Sequence, residues 1–129
     1  SNAIETTITQ LVASNTANGN ISIDETDALV IGKIDQDSEG NVTVSANGTI
    51  TIVDSGISAT NGVVSLTAES GDIVVNNGIT TTGGDVTLLA ADSVSFGANG
   101  AVASANGDVT VTATSGNITM VAGTTVNAE

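Results

Sequence analysis

Hydrophobic and polar residues alternate along most of this chain in short runs of period two, the spacing that sends successive side chains to opposite faces of a strand. Gly40-Asn-Val-Thr-Val-Ser-Ala46 returns as Gly62-Val-Val-Ser-Leu-Thr-Ala68, Gly84-Asp-Val-Thr-Leu-Leu-Ala90 and Gly107-Asp-Val-Thr-Val-Thr-Ala113, with Gly19-Asn-Ile-Ser-Ile23 as an earlier, looser copy. The starts at 19, 40, 62, 84 and 107 set a period of 21 to 23 residues, within the range of solenoid repeats.

Each repeat carries two further alternating stretches. The second is Ala28-Leu-Val-Ile31, Thr49-Ile-Thr-Ile52, Asp72-Ile-Val-Val75, Ser93-Val-Ser-Phe96 and Asn117-Ile-Thr-Met120. The third opens on glycine: Gly56-Ile-Ser-Ala59, Gly78-Ile-Thr-Thr81, Gly100-Ala-Val-Ala103 and Gly123-Thr-Thr-Val126. Six Asn-Gly pairs, among them Asn47-Gly48 and Asn77-Gly78, punctuate the runs as turns. Hairpins would join unlike neighbours, whereas here each strand resembles the third strand after it. That is the signature of a coil that returns on itself, each strand pairing in parallel with its counterpart about 4.8 Å above and below.

The sequence therefore predicts an all-β parallel β-helix of about 22 residues per coil, with three short strands per coil. Alternation places Val42/Val44, Val64/Leu66, Val86/Leu88 and Val109/Val111 inward on the first face. Leu29/Ile31, Ile50/Ile52, Ile73/Val75, Val94/Phe96 and Ile118/Met120 point inward on the second. The leaner third face offers Ile57, Ile79, Ala101 and Ala103. Residues 1–3 (Ser1-Asn2-Ala3) read as a scar of tag removal. Residues 4–129 read as one segment: a partial coil over 4–18, with Thr7-Ile-Thr-Gln10 as a strand and 11–18 leading into the turn, then coils starting at 19, 40, 62, 84 and 107. No cap is visible, so the ends read as cut surfaces of a longer solenoid or as docking edges for end-to-end self-association.

Composition sharpens this picture. One Phe, no Tyr, Trp or Pro, and abundant Val, Ile, Thr, Asn and Gly suit a narrow stacked interior better than an aromatic-filled sandwich. Fourteen acidic residues face a single basic one, Lys33, for a net charge of −13. Such a chain lacks the cations that release counterions from nucleic acid or dock on anionic lipid; cations and basic partners are what its field attracts. No apolar run is long enough to insert in a membrane as a helix, no signal peptide is visible, and without Cys there are no disulfides or thiolate sites.

Chemistry is sparse. With no His or Arg, triads, phosphate clamps and most metal-hydrolase sites are unavailable, and Lys33 alone supplies too little for lyase chemistry. Paired carboxylates can hydrolyse a glycoside, but aromatic sugar platforms are missing apart from Phe96, which alternation places in the core. The expectation is no catalysis. Asp24, Glu25, Asp27, Asp35, Asp37 and Glu39 crowd one coil, either as a solvated face that resists aggregation or as a Ca²⁺ site, for which Asp24, Asp27, Asp35 and Asp37 are the candidate ligands. Asp85 and Asp108 occupy equivalent positions one coil apart, where a cation would relieve their repulsion. Asn20, Asn41, Asn47 and Asn117 stand in Asn-x-Ser/Thr triplets, yet Asn20 and Asn41 share one repeat position, which suits a side-chain ladder better than glycosylation.

Coils written Gly-Asn/Asp-Val-Thr-Val-x-Ala, then a short apolar strand, then Gly-Ile-x-Thr, resemble the repeats of filamentous-haemagglutinin-like exoproteins and giant bacterial surface adhesins over residues 19–129. The resemblance implies a right-handed parallel β-helix, secreted or displayed on the bacterial cell surface as a stalk or adhesive fibre. Its partners would be neighbouring coils of the same longer chain and a host-cell or matrix protein or glycan. The secretion-recognition domain of such proteins is not visible in these residues. A carbohydrate-binding or carbohydrate-active β-helix is the alternative.

Overall fold

A computed structural model of the chain describes residues 8–129. Its fourteen strands build a parallel β-solenoid of about five turns, with no helix among the described residues. The first face is a five-stranded parallel sheet made of Ile21–Glu25, Val42–Ala46, Val64–Ala68, Val86–Ala90 and Val109–Ala113. These strands stack in strict register, Val42 on Ile21, Val64 on Val42, Val86 on Val64 and Val109 on Val86. The second and third faces merge into one nine-stranded sheet, because Leu29–Gln36 and Ile50–Ala59 each run through the corner between them. In the later coils the two faces separate, as Ile73–Val75 and Ile79–Thr81, Val94–Phe96 and Val102–Ser104, and Ile118–Met120 and Val126–Ala128.

The corner between the second and third faces absorbs most of the variation in repeat length. Between stacked inward residues it holds 32–33 in the first coil, 53–56 in the second, 76–78 in the third, and 97–101 and 121–125 in the last two. In the second coil the corner turns through the left-handed region at Asp54 (φ 53°) and Gly56 (φ 72°). An αL residue re-aims a strand within one step, and Asx and Gly tolerate it. Gln10 reaches over the short corner of the first coil, across Gly32, and donates its amide to Asp54 Oδ2 at 2.5 Å, strapping the partial coil to the second coil.

The interior is a set of apolar columns. Leu29, Ile31, Val42, Val44, Ile50, Ile52, Val64, Leu66, Ile73, Val75, Val86, Leu88, Val94 and Phe96 are sealed from solvent, each burial contributing about 1.5–3 kcal/mol. Ile57 and Ile79 are buried on the third face as expected. In the fourth coil, however, Val102 and Ser104 point inward, not Ala101 and Ala103, because Val102 stacks on Ile79. The corner there is longer than in the coil before it, and a one-residue slip exchanges the two faces of a strand. Ile118 and Met120 keep their column positions over Val94 and Phe96 but are about half exposed, at 51% and 46%, with no described strand stacked beyond them.

The partial coil also departs from expectation. Its strand is Leu11–Asn15, paired with the third-face half of the next coil, and Ile8 to Gln10 are not strand; Thr7 lies outside the described residues. Leu11 and Ala13 pack on the core as part-buried residues, so the alternation Leu-x-Ala-x-Asn marks this strand more reliably than Ile8 does.

Candidate functional site

The acidic coil does not converge on a point. Asp24 projects from the first face and is exposed, while Asp27 lies in the next corner, where its carbonyl accepts the N–H of Gly48 at 3.0 Å. Asp35 projects from the third face, and Asp37 and Glu39 follow in the corner after it. These carboxylates are therefore spread over the first face, the third face and two corners, and among the described residues no group of three or more His, Cys, Asp or Glu side chains is placed to hold a metal ion.

Glu25 was counted with this charged set, yet it occupies the inward column above Ala46 and is buried at 6% exposure. Its Oε1 accepts the backbone N–H of Thr26 at 3.1 Å. Strand parity was the available signal, since Ile21, Ile23 and Glu25 alternate exactly as Val42, Val44 and Ala46 do.

Lys33 and Asp35 form the one ion pair among the described residues, Nζ to Oδ2 at 2.7 Å. The hydrogen bond to Asp35, with its charge, raises the Lys33 ammonium pKa. The same hydrogen bond lowers that of Asp35, while Asp37, hydrogen-bonded to Asp35 and repelled by it, is raised. The trio is solvent-facing, so its interactions are screened and of small energetic weight.

Asp85 and Asp108 do come together as equivalent residues of adjacent coils. Asp85 Oδ1 accepts the backbone N–H of Asp108 at 2.9 Å. The same bond recurs wherever the residue before a first-face strand carries an acceptor: Asn20 Oδ1 takes Asn41 N–H at 2.9 Å and Asn41 Oδ1 takes Val63 N–H at 3.0 Å. A second ladder precedes the second face, from Thr49 Oγ1 to Asp72 N–H, Asp72 Oδ1 to Ser93 N–H and Ser93 Oγ to Asn117 N–H, at 3.2, 2.9 and 3.3 Å. In both ladders the acceptor sits one coil before the donor. The Asn, Asp, Thr and Ser at these positions thus satisfy corner amides that the strand pairing leaves over.

The alternation that turns Val and Ile inward also sets an outward row of hydroxyls on the first face, Ser22, Thr43, Ser65, Thr87 and Thr110, stacked in register at the coil spacing. One feature escaped the sequence pattern, a buried polar column on the third face containing Gln36, Thr81 and Ser104. Alternation from the inward Ile79 turns Thr81 inward, as observed, whereas the slip in the fourth coil concealed Ser104. Comparison of the chain with protein-family models, with curated proteins and with solved structures returned no match.

Proposed function

We propose that this chain is a structural, interaction-bearing segment of a large secreted or bacterial cell-surface exoprotein, serving as a stalk or fibre element and not as a catalyst. The observation that carries the reading is the uninterrupted stack. Each coil presents the same three faces to the next, with strands stacked in register, so length is added at about 4.8 Å per coil. The acidic residues are spread over different faces or absorbed in ladders, and Lys33 is paired with Asp35. The mechanism is geometric: the stack holds whatever lies beyond it at a fixed distance. Neighbouring coils of a longer chain are its first partners.

The first-face row of Ser22, Thr43, Ser65, Thr87 and Thr110 favours a second reading, a shallow carbohydrate-binding face. Evenly spaced hydroxyls offer donors and acceptors to an extended glycan, and a melting shift with oligosaccharide, lost in a Thr43→Val/Thr87→Val variant, would favour it over a bare spacer.

An antibody raised against this chain tests the leading reading in the producing cells. A native polypeptide far larger than the 12.5 kDa of this chain, in the surface or culture-medium fraction, is the expected result. A small band confined to the cytoplasm contradicts it.

A further inference from the structure

The third face carries one inward column at its far end: Asn15, Gln36, Ala59, Thr81, Ser104 and Ala128, stacked in that order. It borders the corner where Gly19, Gly40, Gly62, Gly84 and Gly107 lie over one another. Thr81 Oγ1 donates to the carbonyl of Gly62, and Ser104 Oγ to that of Gly84, both at 2.7 Å. In each case the accepting glycine follows the column residue of the preceding coil. By the same relation, residue 59 faces the carbonyl of Gly40, which follows Gln36.

Ala59 has no hydroxyl to give, and no described residue donates a hydrogen bond to Gly40 O. Directly before Ala59 in the stack lies Gln36, fully buried. Its Nε2 donates to Ser38 O at 3.2 Å, and its Oε1 has no partner. Turning the amide over would set Oε1 against the Ser38 carbonyl, so the orientation is fixed by that bond. The amide lies against Gly40: a Cβ built there would stand 3.1 Å from Gln36 Nε2. A buried, unpartnered acceptor, Gln36 Oε1, and a carbonyl without a donor, Gly40 O, thus both belong to the layer beneath the methyl group of Ala59, which is 2% exposed. Acceptors cannot satisfy each other, and each left bare costs more than immobilising one water does.

We infer that a single buried water molecule binds at this corner, donating to Gln36 Oε1 and Gly40 O in place of the hydroxyl that Thr81 and Ser104 supply in later coils. A small polar gap with converging acceptors is where internal water resides, whereas an apolar gap stays dry. The inference is independent of what the solenoid does in the cell.

The 129-residue protein itself, with Ala59→Ser and Ala59→Val, provides the test. Water–protein cross-relaxation in solution reads the resident water at the Gln36 side-chain amide and the Thr60 backbone N–H, which donates to Gln36 O. The expected result is a long-lived water signal in the wild type that disappears in Ala59→Ser. Ala59→Ser should melt at or above the wild-type midpoint, and Ala59→Val, which displaces the water without replacing its donors, below it. Absence of the water signal in the wild type overturns the inference whatever the midpoints. So does an Ala59→Val midpoint at or above wild type, which marks a dry gap that gains from filling.

Discussion

Gly62 and Gly78 both sit at corners of the solenoid, but only one of them is obliged to be glycine by its neighbour. A Cβ on Gly62 would stand 1.8 Å from the carbonyl oxygen of Gly40 one coil away, a backbone atom that cannot step aside. The nearest atom to a Cβ on Gly78 is 3.8 Å away, an ordinary contact. Gly62→Ala should therefore lower stability by about 3 kcal/mol in urea unfolding, while Gly78→Ala should fall within about 1 kcal/mol of wild type. At the same scale, Lys33 governs Asp35, and Asp35 in turn governs Asp37. The Asp35 pKa is depressed, so what it adds to stability is present above its unfolded pKa and is lost as pH falls through the folded one. The Asp37 pKa is raised, so its contribution is present at low pH and is lost as pH rises through the folded value. Carboxyl NMR titration should find Asp35 titrating below Asp37, and Lys33→Gln should move Asp35 upward toward the ordinary range. An unmoved Asp35 would mean that the ion pair does not form in solution.

At the scale of strands and corners, hydrogen-bonded ladders hold the coils together where the sheets do not reach. Asp85 Oδ1 serves Asp108 N–H, so Asp85→Ala should cost about 1 kcal/mol. Asp85→Asn keeps the acceptor and removes a like-charge neighbour, so it should cost nothing or stabilise slightly. The two midpoints from thermal melting separate this account from a cation site. If a bound Ca²⁺ held the pair, Asp85→Asn would be as damaging as Asp85→Ala, and chelator would lower the wild-type midpoint. The strands were legible in sequence because the Val-x-Val and Ile-x-Ile alternation is strong on the first two faces, where packing demands it. The shared position of Asn20 and Asn41 likewise pointed to a ladder before any geometry was known. The third face was harder. Its strands are short, its inward residues include Gln36, Thr81 and Ser104, and corner length decides the phase. Counting from Gly100 therefore put Ala101 where Val102 belongs. Glu25 misled for the opposite reason, since its charge outweighed a parity that read correctly.

For the whole molecule, the unit of construction is the coil, and the register of whole coils is the property on which everything else depends. Removing residues 62–83 deletes one turn and sets the second coil against the fourth with every column intact. Removing 62–72 deletes half a turn and puts first-face residues against the second face. Equilibrium urea unfolding of these two deletions tests the solenoid most directly. The 62–83 deletion should fold cooperatively with reduced stability and a smaller m-value, as loss of one repeat requires, and the 62–72 deletion should not fold. Equal behaviour of the two, whether both folded or both unfolded, would contradict a structure built from stacked, interchangeable coils.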